Sequence, residues 1–221
     1  MDSTSVDIIK GILISVLPIL IAITFHEASH GFAAYKLGDP TAKMMGRLTL
    51  NPIAHIDPLG TIVIPLLLYL MTGYTIGWAK PVPINPQNFR NPKRDMALSA
   101  AAGPLINIVL AVLSIVIIRF LIFPLSEIMP SSISRTVLVP LHSIFKVSAI
   151  INAVLAVFNM VPIPPLDGGR VAIGFLPYKQ AEILSKLEPY GFMIVILLFF
   201  FLKIGSFIFP PVFYLITKLT G

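Results

Sequence analysis

The sequence contains no cysteine and few charged residues. With a Cys count of 0 in 221 residues, disulfide bridges, thiolate metal ligands and cysteine nucleophiles are all excluded. Any bound metal ion must therefore be held by histidine, aspartate or glutamate. Charged residues make up 12% of the chain, against about a quarter in soluble domains, and 56% of the residues are hydrophobic. This balance excludes a water-soluble fold and predicts an integral membrane protein.

The net charge of +6 does not indicate a nucleic-acid partner. Membrane proteins collect lysine and arginine in their cytoplasmic loops, which explains a basic balance without nucleic acid. The basic residues are also not grouped with aromatic side chains, as a nucleic-acid platform would require.

Long apolar runs predict the membrane spans, since about 20 apolar residues cross a bilayer as a helix. Such runs lie at 8–37, 96–123 and 137–160, a shorter one lies at 61–73, and the tail holds one or two more. The predicted fold is an all-α polytopic membrane protein, a single domain over 1–221 with about five to six transmembrane or re-entrant helices. The alternating RLTL (47–50) and the proline-rich AKPVPIN (79–85) predict short β elements at its cytoplasmic face.

The short run at 61–73 is predicted to re-enter the membrane rather than to cross it. The two loops that flank it carry seven basic residues: Lys36, Lys43, Arg47, Lys80, Arg90, Lys93 and Arg94. A full crossing would divide the basic residues almost evenly between the two sides, against the positive-inside rule. A re-entrant segment keeps the basic residues of both loops on one side of the membrane. We therefore expect an outside N-terminus and a cytoplasmic stretch from 36 to 95.

The first apolar run contains an H-E-x-x-H pattern, His26-Glu27-Ala28-Ser29-His30. Residues four apart share one face of a helix, so both imidazoles can reach the same ion. The adjacent glutamate can then accept a proton from a water bound to that ion, as in metalloproteases. Placing these polar groups in hydrocarbon is costly, which indicates that they have a function.

Two histidines leave a catalytic zinc site incomplete, and Asp167 is the predicted third ligand. Among the ten acidic residues, only Glu27 and Asp167 lie within or next to an apolar run and away from ordinary loops. Asp167 follows NMVPIPPL, where the prolines exclude a regular helix. Broken backbone at membrane depth is tolerated only inside protein or beside a water-filled cavity. Two histidines, one carboxylate and a water would form a zinc site of the catalytic type.

Two other functions fit parts of this pattern. Histidine, aspartate and broken helices also occur along the ion pathways of transporters and metal-handling proteins. However, the sequence has no internal repeat, and such a pathway does not need the glutamate after the first histidine. A catalytically silent binding protein is the third alternative, and the intact Glu27 argues against it.

The three polar segments resemble the signature segments of the site-2 protease family of intramembrane zinc metalloproteases. The segments are HEASH, AAGPLIN (101–107) and NMVPIPPLDGG (159–169), and GRLTLNP, HIDPLGT and GWAKPVP resemble the compact prokaryotic branch without a PDZ domain. The resemblance implies Zn²⁺ bound by His26, His30 and Asp167, with Glu27 as general acid and base. It also implies that Asn159 orients or stabilises the substrate carbonyl. Asn107 either contacts the substrate or forms a hydrogen bond between helices.

The topology predicted from charge is that of a multi-pass protein of the cell membrane, with its active site toward the cytoplasmic side where the first span ends. The resemblance further implies a class of substrate. The substrates would be transmembrane proteins, cleaved after local unwinding. RLTL and AKPVPIN would either offer a strand edge to the unwound substrate or pair with each other. Of the two remaining histidines, His55 is predicted to hydrogen-bond backbone in a turn, and His142 to lie between helices.

Overall fold

The computed structural model describes residues 3–72 and 77–221, and within these ranges the chain is all-helical. The α-helices are α1 (Ser3–Leu37), α2 (Thr41–Met44), α3 (Ile64–Thr72), α4 (Pro92–Ile117), α5 (Phe123–Ile128), α6 (Ser131–Ile133), α7 (Val139–Asn159), α8 (Asp167–Phe175), α9 (Tyr178–Ser185), α10 (Gly191–Ile196) and α11 (Gly205–Thr220). Turns of 3-10 helix lie at Pro52–His55, Pro86–Asn88 and Glu188–Tyr190, and wider π turns at Pro58–Val63, Ile118–Ile122, Ser134–Leu138 and Leu197–Phe201. The predicted all-α class is confirmed for these residues.

Three helical stretches within the described residues are long and apolar enough to cross a membrane: Ile14–Leu37, Pro92–Ile128 and Ser131–Asn159. They correspond to the three longest runs in the sequence. The π turns explain their length, because helical geometry continues through Ile118–Ile122 into α5 and from Ser134–Leu138 into α7. The run at 61–73 was predicted as a separate element, and its last residue lies outside the described ranges.

The three long helices pack as an antiparallel bundle, α1 against α4 and α4 against α7. Polar side chains mark the register: the His30 ring is bonded to the Ser99 carbonyl and the His26 ring to Asn107. Further along α4, Asn107 is bonded to Asn152 of α7. As residue numbers rise along α4, the residues that it contacts on α1 and on α7 fall in number, so α4 runs antiparallel to both helices. The ends of α1 and α7 therefore lie on the same side of the bundle.

The segment between α7 and α8 brings the chain back toward this end of the bundle. α7 ends at Asn159, and α8 begins at Asp167 after the proline-rich turn. A Cβ atom on Gly168 would lie 2.3 Å from the Met160 carbonyl oxygen, so only glycine permits this close approach. The first turn of α8 is therefore held directly against the end of α7.

Residues 58–72 form one helical segment, and Trp78 lies beside its start. The Trp78 N–H donates to the Gly60 carbonyl at 3.0 Å, and the Thr61 hydroxyl donates to the Trp78 carbonyl at 3.0 Å. The Asp57 carboxylate accepts from the Leu59 and Gly60 amides and begins the helix. Trp78 therefore lies beside residues 60 and 61, at the start of this helical segment.

The prediction of short β elements is wrong for the described residues: neither 47–50 nor 79–85 forms a strand. Pro81 and Pro83 have no N–H to contribute to a ladder. The amides of Val82 and Asn85 donate to side-chain carboxylates instead, those of Glu27 and Asp39. The segment 77–85 is extended chain, and we call it the strap. Its other main-chain donors, Trp78 and Lys80, bond the carbonyls of Gly60 and His55.

Candidate metal centre and active site

His26 and His30 lie on one face of α1, one helical turn apart. Their Nε2 atoms are 3.0 Å from each other, and each residue is only 8% exposed. The rings meet edge to face, with centroids 4.6 Å apart. The two nitrogens therefore converge on one buried point, as the spacing of the H-E-x-x-H pattern predicts.

Asp167 reaches the same point from the first residue of α8. Its Oδ2 atom lies 3.2 Å from Nε2 of His26 and 3.3 Å from Nε2 of His30. The residue is 7% exposed, and Oδ2 is a buried oxygen without a hydrogen-bond partner. A buried unsatisfied oxygen is unfavourable unless something binds it. The structure thus brings all three predicted ligands together.

These three atoms fit a tetrahedral zinc ion. Zn–N and Zn–O distances near 2.0–2.1 Å put neighbouring ligand atoms of a tetrahedron about 3.3 Å apart. The observed separations of 3.0, 3.2 and 3.3 Å form a triangle of that size. Two imidazoles and a carboxylate are also a donor set that zinc prefers, and three protein ligands leave a fourth corner for water or substrate.

Each histidine is oriented by a hydrogen bond at its other ring nitrogen. Nδ1 of His26 lies 2.5 Å from Oδ1 of Asn107, and Nδ1 of His30 lies 2.8 Å from the Ser99 carbonyl oxygen. Both partners are acceptors, so both imidazoles carry their hydrogen on Nδ1 and present an unprotonated Nε2 to the centre. Hydrogen bonds of this kind, at the ring nitrogen that faces away from the centre, fix the tautomer that a metal requires.

Gly103 of α4 provides the space for the two rings. A Cβ atom at this position would lie 2.4 Å from Nε2 of His30 and 2.7 Å from Cε1 of His26. The hydrogen atom of glycine is therefore the only side chain that the centre accepts here.

Glu27 lies beside the centre and contacts the strap. Its Oε2 atom accepts a hydrogen bond of 2.9 Å from the main-chain N–H of Val82, and the residue is half-buried. Val82 is buried and packs over Gly31, whose added Cβ would lie 2.9 Å from Val82 Cγ1. The carboxylate predicted to move protons is thus held by a main-chain donor from a different segment.

Asp39 fixes the far end of the strap. Its buried carboxylate accepts hydrogen bonds from Asn85 N at 2.7 Å, Asn88 Nδ2 at 2.8 Å, Thr41 N at 3.0 Å and the Thr41 hydroxyl at 2.5 Å. Burial alone would raise the pKa of Asp39, but the bonds from Asn88, Thr41 and Asn85 outweigh it and hold the pKa below its ordinary value of 3.8. The charged form is therefore the one that holds the strap.

We expect Asp39 to make the protein less stable in acid. Its lowered pKa stabilises the fold fully above about pH 4, and this contribution is lost as the pH falls through 3.8 and below. Asp39→Asn removes the charge and turns one acceptor into a donor that faces other donors. The variant should melt several degrees below the wild type at pH 7, since each kcal/mol is worth about 2–4 °C in a chain of this size. Melting curves of both proteins from pH 7 to pH 3 should converge, and a constant gap would contradict this.

The remaining predicted residues lie as follows. Asn159 is half-buried at the end of α7, where its amide donates to the Leu155 carbonyl at 3.0 Å. Asn107 is fully buried, so its position favours a bond between helices over substrate contact. His55 hydrogen-bonds the Thr49 carbonyl at 2.9 Å in its turn, and His142 the Thr220 carbonyl at 2.8 Å between α7 and α11.

Sequence reasoning missed three contributors to this site. Ser99 and Val82 contact the His30 ring and the Glu27 carboxylate through main-chain atoms, which leave no trace in residue type, and the Ser99 hydroxyl also donates to the His30 carbonyl at 3.1 Å. Asn152 did carry a signal, since an amide in the apolar run AIINAVLA needs a partner. Its partner, Asn107, depends on the register of α4 against α7.

Comparison with known proteins gives one family and several relatives. Residues 14–202 match the family described as "Peptidase family M50". A Bacillus subtilis (strain 168) protein named "Putative zinc metalloprotease YwhC" is 38% identical over 196 residues, which cover 89% of this chain and 84% of that protein. A Mycolicibacterium smegmatis protein named "Putative zinc metalloprotease Rip2" is 28% identical over 183 residues, 81% of this chain and 63% of that protein. No solved structure matches the chain.

The family match covers most of the chain and includes both segments whose side chains converge. HEASH supplies two of the three converging atoms, which could hold a metal ion, and LDGG supplies the third. The chain therefore belongs to peptidase family M50.

Proposed function

We propose that this peptidase is a zinc-dependent endopeptidase that hydrolyses peptide bonds in or near the transmembrane helices of membrane proteins. One observation carries the proposal: the ligand atoms of His26, His30 and Asp167 converge within 3.3 Å of one another inside a bundle of long apolar helices. A carboxylate, Glu27, stands next to them in the sequence and on the same helix. A soluble metalloprotease would not need apolar helices around its metal centre.

The residues divide the chemistry among them. Zinc held by His26, His30 and Asp167 would polarise the scissile carbonyl and activate water for attack at neutral pH. Glu27 takes the proton from the attacking water and delivers it to the leaving amine. We assign the orientation of His26 to Asn107, and we keep for Asn159 the role of donor to the developing oxyanion.

The proposed topology puts the site toward the cytoplasmic side of the cell membrane. The first span ends near the histidines, and the basic loops from 36 to 95 follow it, which the positive-inside rule assigns to the cytoplasm. The bonds between Gly60, Thr61 and Trp78 support a re-entrant segment before α4. With α10 and α11 in the tail, we propose five to six transmembrane or re-entrant helices in one domain over 1–221.

The substrate must reach the centre as an extended chain, because a helix hides its peptide groups in its own hydrogen bonds. A groove of about 300 Å³ lies between α1 and residues 48–50, and its lining includes Ala28, Ser29 and Phe32. These residues form a different face of α1 from His26 and His30, so the groove suits a part of the substrate that flanks the scissile bond. We propose that an unwound stretch of a transmembrane protein lies along this face.

Asp167→Asn tests the ligand set. The variant keeps an oxygen atom in place but removes the negative charge, so we expect zinc affinity to fall by about 10–100-fold and cleavage of a transmembrane substrate to fall with it. The measurements are zinc content of the purified protein under chelator-buffered zinc and gel analysis of cleavage in proteoliposomes.

Asp95→Asn is the matched control, because Asp95 is also a buried aspartate near a helix N-terminus, where it accepts the Asn91 N–H. It should keep zinc and cleavage near wild type. Full zinc in Asp167→Asn would mean that another group is the third ligand, and a wild type that takes up no zinc would overturn the proposed function.

A further inference from the structure

A chain of buried polar side chains connects the metal centre with the middle of the bundle. From Nδ1 of His26 it passes to Oδ1 of Asn107 at 2.5 Å, and from Nδ2 of Asn107 to Oδ1 of Asn152 at 2.7 Å. It ends where Nδ2 of Asn152 donates to the Ser148 carbonyl at 2.9 Å. Both asparagines are 0% exposed. The chain crosses from α1 through α4 to α7.

The Ser148 carbonyl, at the end of this series of hydrogen bonds, fixes which atom donates and which accepts in each of the others. A main-chain carbonyl only accepts, so the Asn152 atom facing Ser148 must be the amide nitrogen. The Asn152 oxygen then faces Asn107 and must accept from its nitrogen. That leaves the Asn107 oxygen facing His26, and Nδ1 of His26 must be the protonated nitrogen.

We infer that Asn152 is a positioning residue, which holds the Asn107 amide in one orientation and thereby keeps His26 in the tautomer that binds metal. The inference rests on the proposed function in taking His26 as a ligand. Asn152 contacts neither the centre nor the reacting atoms in this arrangement. Its effect passes entirely through Asn107.

Without Asn152, the Asn107 amide could turn over at little cost. Its nitrogen also lies 3.3 Å from the Ala22 carbonyl, a longer and weaker contact than the 2.7 Å bond that it donates to Asn152. A turned amide would present N–H to Nδ1 of His26 and stabilise the tautomer protonated on Nε2. An Nε2–H cannot bind zinc. In a buried site, an acceptor such as the Asn152 oxygen decides between the two orientations, because an unpaired polar group there is unfavourable.

The inference is tested by the tautomer of His26 in zinc-free protein. The chain has four histidines, so ¹⁵N spectra of imidazole-labelled protein are simple, and comparison with His26→Gln assigns the signals of His26. We expect wild-type His26 to be protonated on Nδ1 and Asn152→Leu to populate the Nε2–H form. Zinc affinity of Asn152→Leu, measured by chelator competition, should fall by about 10-fold or more.

Two further variants separate positioning from packing. Ser114→Ala removes a hydroxyl that lies 3.0 Å from the Ser148 hydroxyl, across the same contact between α4 and α7. This hydroxyl is not part of the series that runs from His26 to the Ser148 carbonyl. It should keep the wild-type tautomer and zinc affinity. Asn152→Asp should also retain both, because burial favours the neutral acid, which offers a carbonyl to Asn107 and a hydroxyl to Ser148. If Asn152→Leu does not fold, Asn152→Ser, too short to reach Asn107, takes its place.

Two results would overturn the inference. The first is an Asn152→Leu protein whose His26 stays protonated on Nδ1 and whose zinc affinity is unchanged. The second is a Ser114→Ala protein that loses the tautomer and the zinc affinity to the same extent as Asn152→Leu, because Asn152 would then act only through packing. The tautomer is read without zinc and without substrate. A wild-type protein that shows the expected tautomer but binds no zinc would therefore contradict the proposed function, whereas the positioning role of Asn152 would still be supported.

Discussion

Glu27→Gln should bind zinc as the wild type does and cleave a transmembrane substrate about 10²–10⁴-fold more slowly. Glutamine has the size of glutamate, and its amide oxygen can still accept the Val82 N–H, so the centre and the strap keep their geometry. What it cannot do is take a proton from water, and that is the contribution expected of a general base. The measurements are zinc stoichiometry and single-turnover cleavage in proteoliposomes.

This variant also separates the competing functions. A transporter or metal-handling protein needs the ligands but not a proton acceptor beside them, and it should largely survive the substitution. Glu182→Gln, at an exposed glutamate of α9 paired with Lys186, is the matched control and should cleave normally. Cleavage by Glu27→Gln within a factor of a few of wild type would remove Glu27 from the mechanism.

Gly103→Ala should lose its zinc and its activity together. The added methyl carbon would lie 2.4 Å from Nε2 of His30, about 1 Å closer than ordinary contact. Because α4 cannot retreat without breaking its packing, the histidine rings must move, and a displacement of about 1 Å at a catalytic site costs on the order of 10²-fold in rate. Zinc content under chelator-buffered conditions and cleavage rate measure the two losses.

The substitution is informative because helix propensity predicts the opposite. Alanine within a helix is favoured over glycine by about 1 kcal/mol, so an effect of backbone freedom would make this variant more stable. Gly11→Ala is the control: Gly11 lies in α1 with nothing within 4 Å of an added Cβ. It should keep zinc and activity. A Gly103→Ala protein with full zinc would mean that the histidines approach the ion from another direction.

The sequence predicted the parts of this protein that depend on local pattern. Helix periodicity puts His26 and His30 on one face, and apolar length locates the long helices. Asp167 was found because few acidic residues lie beside apolar runs. Each of these inferences uses only the residues near one another in the sequence, or the small number of acidic residues among which a ligand can be chosen.

The sequence did not predict the features that depend on packing register or on main-chain atoms. The β elements were expected from an alternation of only four residues and from prolines that cannot complete a ladder. The role of Asn107 stayed open because its contact with His26 depends on how α4 slides along α1. Gly103 lies in the AAGPLIN segment, but its distance from His30 depends on how α4 packs against α1.

The donor that holds Glu27 has a consequence for how variants of this enzyme tolerate mutation. It is the peptide N–H of residue 82, which every amino acid except proline supplies. Replacement of the side chain at this position therefore leaves the hydrogen bond available, and an alanine scan of the strap would report the packing of Val82 on Gly31 but not this bond. Genetic screens that rank residues by the loss of a side chain will undercount main-chain contacts of this kind.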